Sequence, residues 1–141
     1  MLWEKLKYFK SREFTRPELM SGFILLALDE IREEVGLPFV VTSSYRNGGS
    51  GNHQGFAVDG FFVPGIPRVS ALERVQRAMI AVDGLLLGNS SGVGLYLDWK
   101  SGNLGFHFDF KRGGSRRWSR DGTYKSWQYA IEKLKQNPEK W

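Results

Sequence analysis

The apolar positions of this chain change period several times, and each change predicts an element. Residues 1 to 14 are basic and aromatic without a sustained period and read as an arm packed on the body. Thr15-Arg-Pro-Glu18 then has the form of a capping box, with Thr15 as cap and Glu18 reaching back. Leu19, Phe23, Leu26, Ile31 and Val35 follow as a helical apolar stripe, ended by Gly36 and Pro38. Phe39-Val-Val-Thr42 reads as a short buried strand. The pattern lapses in a glycine-rich loop and returns as a loose alternation from Phe56 to Val63, a second strand broken by Pro64, Gly65 and Pro67. Ser70-Ala-Leu-Glu73 is a second capping box, opening a helix through about Leu86. Gly92 to Leu97 and Phe106 to Phe110 read as strands of a hairpin, joined by the turn Lys100-Ser-Gly-Asn103. Residues 111 to 123 read as a basic loop, and Tyr124 to Gln136 as a last amphipathic helix stopped by Asn137-Pro138. Helices and strands mix without a regular βαβ alternation, which predicts an α+β fold with a small antiparallel sheet flanked by helices.

Composition narrows the picture. The 141 residues fit one compact domain, residues 1–141, and the balance of 41% hydrophobic and 25% charged residues is that of an ordinary soluble globular protein. There is no cysteine, which excludes disulfides, a thiolate zinc site and a cysteine nucleophile. A metal would therefore be held by histidine and carboxylate. The formal net charge of +5 suits polyanionic surroundings such as nucleic acid, anionic cell wall or acidic lipid, or serves solubility alone. The N-terminus has no apolar stretch of the secretory kind, and no segment approaches the ~18 apolar residues of a membrane span. The expectation is a protein made in the cytoplasm that would need another system to release it if it acts on the cell wall.

Only two histidines occur, each near an aspartate. His53 lies in the glycine-rich loop, six residues before Asp59. His107 lies in the strand Gly105-Phe-His-Phe-Asp-Phe110, where Phe106, Phe108 and Phe110 point to one face and His107 and Asp109 share the other. A solvated polar face would give the same pattern. His53, Asp59 and His107 also make a plausible three-ligand zinc site with an open position for water. Such a site makes bound water acidic enough to ionise near neutral pH and polarises a carbonyl. Five basic residues around Trp118 in Lys111 to Arg120 could hold a phosphate backbone or an anionic wall polymer, or could be a solvated loop with Trp118 as a staple.

Several linked motifs give the chain a wider resemblance. They are Val41-Thr-Ser-Ser-Tyr-Arg46, Ser50-Gly-Asn-His-Gln-Gly-Phe-Ala-Val-Asp59, Gly92-Val-Gly-Leu-Tyr96, His107-Phe-Asp109 followed by Lys111 and Arg112, and Arg117-Trp118. In order and rough spacing, from about Phe9 to Trp118, they resemble the zinc peptidase family of D-alanyl-D-alanine carboxypeptidases and phage endolysins. The nearest branch is that of short carboxypeptidases with an Asp just after the last zinc His. The resemblance implies a hedgehog/D-Ala-D-Ala peptidase fold and zinc (Zn2+) held by His53, Asp59 and His107. It implies metal-activated water attacking a peptide carbonyl of D-amino-acid-containing peptidoglycan peptides, in phage-driven or bacterial wall turnover.

Two departures from the family's pattern bear on the site. The family's zinc histidine aligns with Asn52, so His53 stands one residue late. Either a one-residue deletion is absorbed by Gly48, Gly49, Gly51 and Gly55, or the ligand is lost. In the second case the chain is a catalytically silent domain of the same fold, serving as a binding or phage structural module. The family's Glu or His general base falls on Leu104 or Gly105, leaving Asp109 as base or as the group that orients His107. Arg46 matches the family's arginine near the scissile carbonyl, where it would bind a substrate carboxylate or a developing oxyanion, the alternative being a structural ion pair. Tyr45 and Tyr96 read first as packing residues, with substrate binding the alternative for Tyr96. Asp98 and Glu73 read as solvated or capping groups. Nucleic acid is the less favoured partner, and peptidoglycan peptide the favoured one.

Overall fold

Ser21, rather than Thr15, opens the first helix. A computed structural model of the chain describes residues 2–45, 54–85, 91–110 and 114–141. Helix α1 spans Gly22–Val35, with the Ser21 hydroxyl accepting from the Phe23 amide at 3.2 Å. The predicted capping box is instead a single 3-10 turn, Pro17–Leu19, preceded by Arg16 in the left-handed region at φ 50°. Pro17 disfavours α geometry in the residue before it, and the Glu18 carboxylate pairs with Arg16 rather than reaching back to Thr15. The buried stripe is Ile24, Leu25, Leu28, Ile31 and Val35, while Leu19, Phe23 and Leu26 are exposed. From Phe23 to Leu28 every residue is apolar, so periodicity could not say which face turns inward. Gly36 ends the helix at φ 75°, as expected.

Six strands follow the order β1-β2-β4-β3-β5-β6 in one sheet. They are β1 Phe39–Ser43, β2 Ala57–Phe62, β3 Gly92–Tyr96, β4 Gly105–Asp109, β5 Arg116–Asp121 and β6 Thr123–Ser126. Every neighbouring pair is antiparallel except β3 and β5. Helix α2, Ala71–Leu85, lies between β2 and β3 in the chain, and the Ser70 hydroxyl accepts from the Glu73 amide at its start. Leu86, where that helix was expected to end, lies outside the described residues. The β3–β4 hairpin forms in the register Gly92↔Asp109 to Tyr96↔Gly105.

The expected basic loop over 111–123 is corrected: from Arg116 it is strand β5, which turns back into β6. Arg-Arg-Trp-Ser-Arg-Asp has no apolar alternation, so nothing in its own pattern marks a strand. The last helix, α3, is Trp127–Gln136 and starts three residues later than expected, because Tyr124 to Ser126 belong to β6. The Ser126 hydroxyl caps it, accepting from the Tyr129 amide at 3.0 Å.

The fold is α+β. One sheet face carries Val58, Phe62, Val93, Leu95, Phe106 and Phe108, all fully buried in a core shared with α1 and α2. Each such side chain contributes on the order of 1.5–3 kcal/mol through burial. Phe110 lies past the end of β4 and meets Phe23 edge-on at 5.7 Å. The N-terminal arm is tied down by the Lys7 and Tyr8 amides, which donate to the Asp29 carboxylate at 2.9 Å each. No helix among the described residues is long and apolar enough to cross a membrane.

Candidate functional site

Side chains of paired residues in a sheet project to the same face, so register alone arranges the opposite face in rows. The central row is Asp59 on β2, His107 on β4, Gly94 on β3 and Trp118 on β5. On one side of it runs Ala57, Asp109, Gly92 and Arg116. On the other runs Gly105, Tyr96, Arg120 and Tyr124. The middle strand contributes glycine to two of these rows, and space is the reason. A Cβ at Gly94 would stand 2.6 Å from the Trp118 indole, and one at Gly92 would overlap the Asp109 carboxylate. Gly-x-Gly on β3 is therefore a floor on which Trp118 and the Asp109–Arg116 pair lie flat. Gly105 does the same for Trp99, which stacks on Tyr96 at 5.2 Å.

Three acid–base residues meet on this floor. His107 Nδ1 lies 2.8 Å from Asp59 Oδ1, and Nε2 lies 2.7 Å from Asp109 Oδ2. Arg116 crosses Gly92 and donates to both Asp109 oxygens, to Oδ2 at 3.2 Å and at closer range to Oδ1. Asp59 and His107 are each 5% exposed and Asp109 is fully buried. Burial is the largest influence on the His107 ring and favours its neutral form. Hydrogen bonds and charge from Asp109 and Asp59 outweigh burial, and the pKa stands above the ordinary histidine value. When the ring is protonated, Nδ1–H donates to Asp59 and Nε2–H donates to Asp109. Burial likewise pushes the Asp109 carboxyl up most strongly, but His107 and Arg116 together hold its pKa below the usual range. The Trp118 indole lies against His107, with ring centres 5.1 Å apart.

His107 and Asp59 form the base of an open cleft of about 920 Å³. Its lining is mostly arginines and aromatics, from the third row, from β5 and from Trp99. Tyr96 lines it. Asp59, His107 and Asp109 are thus brought together, whereas Arg46 and His53 lie outside the described residues, as do Lys111 and Arg112. Tyr45 is half-buried against the core. Asp98 fastens the β5–β6 turn, accepting from the Gly122 amide at 2.9 Å and Arg120 Nε at 3.2 Å. Glu73 pairs with Arg77 at 3.0 Å. Sequence reasoning missed Trp99, Tyr124 and the pairing of Arg116 with Asp109. Arg116 reaches Asp109 only through the parallel β3–β5 pairing, which no local pattern announces. Trp99 was visible only as one more aromatic beside a turn.

Among the described residues, no three histidine, aspartate or glutamate side chains are placed to hold a metal ion. Two of the expected zinc donors nonetheless face each other. Ligands about 2.0–2.1 Å from a tetrahedral ion stand roughly 3.3 Å apart, so Asp59 Oδ1 and His107 Nδ1 need open by only about half an ångström from their 2.8 Å separation. The hydrogen bond from Nε2 to a carboxylate is also what a metal-ligating imidazole needs at its other nitrogen. The donor chemistry fits zinc, with a third ligand required from beyond the described residues. Comparisons with protein families, with curated proteins and with solved structures found no match.

Proposed function

We propose that this chain is a zinc-dependent peptidase acting on peptidoglycan peptides, with the fold and site of the D-alanyl-D-alanine carboxypeptidase and endolysin family that its motifs resemble. The observation that carries this reading is the Asp59–His107 pair, 2.8 Å apart at the base of an open cleft, with the second His107 nitrogen fixed by Asp109. Asp59 and His107 hold the ion, and His53 completes the set from the loop six residues before Asp59. When bound, the ion supplies a water that ionises near neutral pH and a Lewis acid for the substrate carbonyl. Asp109 serves as the orienting carboxylate rather than the base, because both its oxygens are engaged and the residue is shielded from solvent. Arg46 binds a substrate carboxylate or the developing oxyanion. Tyr96 forms part of the wall along which the peptide lies.

The test is mass spectrometry of peptides released from purified peptidoglycan. Zinc-loaded protein is expected to cleave a bond at a D-amino acid, and a chelator or His107→Ala to abolish the cleavage. Intact peptides after prolonged incubation with the zinc-loaded protein would overturn the reading. A second reading, the silent binding or phage structural module, draws on the fact that both His107 nitrogens already have carboxylate partners within the chain. It predicts retention on peptidoglycan without cleavage and without any effect of zinc. Whether the β5 arginines meet an anionic wall polymer belongs to the same experiment, as salt-sensitive retention.

A further inference from the structure

The walls of the cleft are unusual for their chemistry. Trp118, Trp99, Tyr96 and Tyr124 all line it, and no aliphatic side chain among the described residues does. Trp118 and the Tyr96–Trp99 stack are partly exposed, and Tyr124 is 75% exposed on β6. Solvent-facing aromatic rings with polar edges suit a ligand that presents flat faces.

The charges on the walls indicate what kind of flat face. A cleft built for a phosphate backbone needs surplus cations along its length. Among the described residues, each arginine that lines the cleft has a carboxylate partner: Arg116 with Asp109, Arg120 with Asp98 at 3.2 Å, and Arg117 with Asp83 at 3.8 Å. Such pairs leave little net charge but offer both donors and acceptors, which is the chemistry that meets hydroxyl and amide groups. A second hollow of about 380 Å³ adjoins the cleft, and Trp99 and Arg120 line both. Trp99 therefore stands as a ridge between two spaces, a shape that fits an extended chain better than a single small molecule.

We propose that the Tyr96–Trp99–Tyr124 side of the cleft is a binding site for an uncharged sugar chain of N-acetyl amino sugars. The C–H faces of the rings stack on Trp99 and Tyr124, and hydroxyl and acetamido groups meet the Arg120–Asp98 pair. The choice of amino sugar rests on the wall-peptidase reading; the stacking chemistry rests on the cleft alone.

The probe is the tetramer of N-acetylglucosamine, titrated calorimetrically into the full-length chain in the presence of a chelator. It carries no peptide and needs no metal, so its outcome is independent of whether the chain cleaves peptides. Saturable binding is expected, weakened about three- to tenfold in Tyr124→Ala through loss of one aromatic contact. Tyr124 is exposed on the last strand, so its variant keeps the core intact. Trp99→Ala is expected to weaken binding further, with circular dichroism checking that it remains folded. Absence of saturable binding would overturn the proposal, as would an affinity that both variants leave unchanged. Steeply salt-dependent binding of oligothymidylate that displaces the sugar would also overturn it, assigning the cleft to single-stranded nucleic acid.

Discussion

Asp109 is shielded from solvent, and the partners of its carboxylate, His107 and Arg116, give the site its pH dependence. Its pKa is depressed in the folded state. The stabilisation it provides is therefore present above the unfolded value of about 3.9 and lost as pH falls through the folded one. His107 has the opposite sign. Its pKa is raised, so its contribution is full below the unfolded value of about 6.5 and lost as pH rises through the folded value. In metal-free protein the network is most stabilising between about pH 4 and 6.5. Asp109→Asn is expected to lower stability there by on the order of 3 kcal/mol, the loss of one partner of a buried pair. Urea unfolding across pH in the presence of chelator checks this. The gap from the unsubstituted protein should close below the folded pKa of Asp109, and parallel pH curves would contradict the account.

At the scale of elements, β3 decides the site more than its own chemistry suggests. Gly94→Ala places a methyl group 2.6 Å from Trp118, whose indole cannot move without leaving the wall of the cleft. The expected result is a destabilisation of about 1–3 kcal/mol with an altered near-ultraviolet tryptophan signal. An unperturbed signal would mean that Trp118 does not lie on β3. Elements also separate what the sequence disclosed from what it hid. The β3–β4 hairpin was legible because Phe106 and Phe108 alternate with His107 and Asp109, and that alternation put both polar residues on one face. The grouping of Asp59 with His107 was suggested by the scarcity of histidine and its nearness to aspartate and by the resemblance, while the β2–β4 pairing that makes the contact spans nearly fifty residues and has no local signal. Strand β5 was illegible because its arginines are matched by carboxylates on other elements, so its polarity looked like that of a solvated loop. The buried face of α1 was hidden by a run of apolar residues without a polar side to orient them.

For the molecule as a whole, the sheet separates two functions. Its apolar face is buried against the helices, and in a chain without cysteine that core and the buried network carry the stability. Its other face carries a floor of glycines, an Asp–His–Asp–Arg network and aromatic walls. The chain carries a net charge of +5, and among the described residues the arginines that line the cleft are each paired with a carboxylate. The proposed role of this face is to hold zinc between Asp59 and His107, with His53 as the third ligand. Metal content of protein purified without chelator or metal-binding tag, measured by mass spectrometry beside His53→Ala and His107→Ala, tests it most directly. The account predicts close to one zinc per chain, lost in both variants. A protein that stays free of metal after zinc is added, or that keeps its zinc without His107, would contradict it.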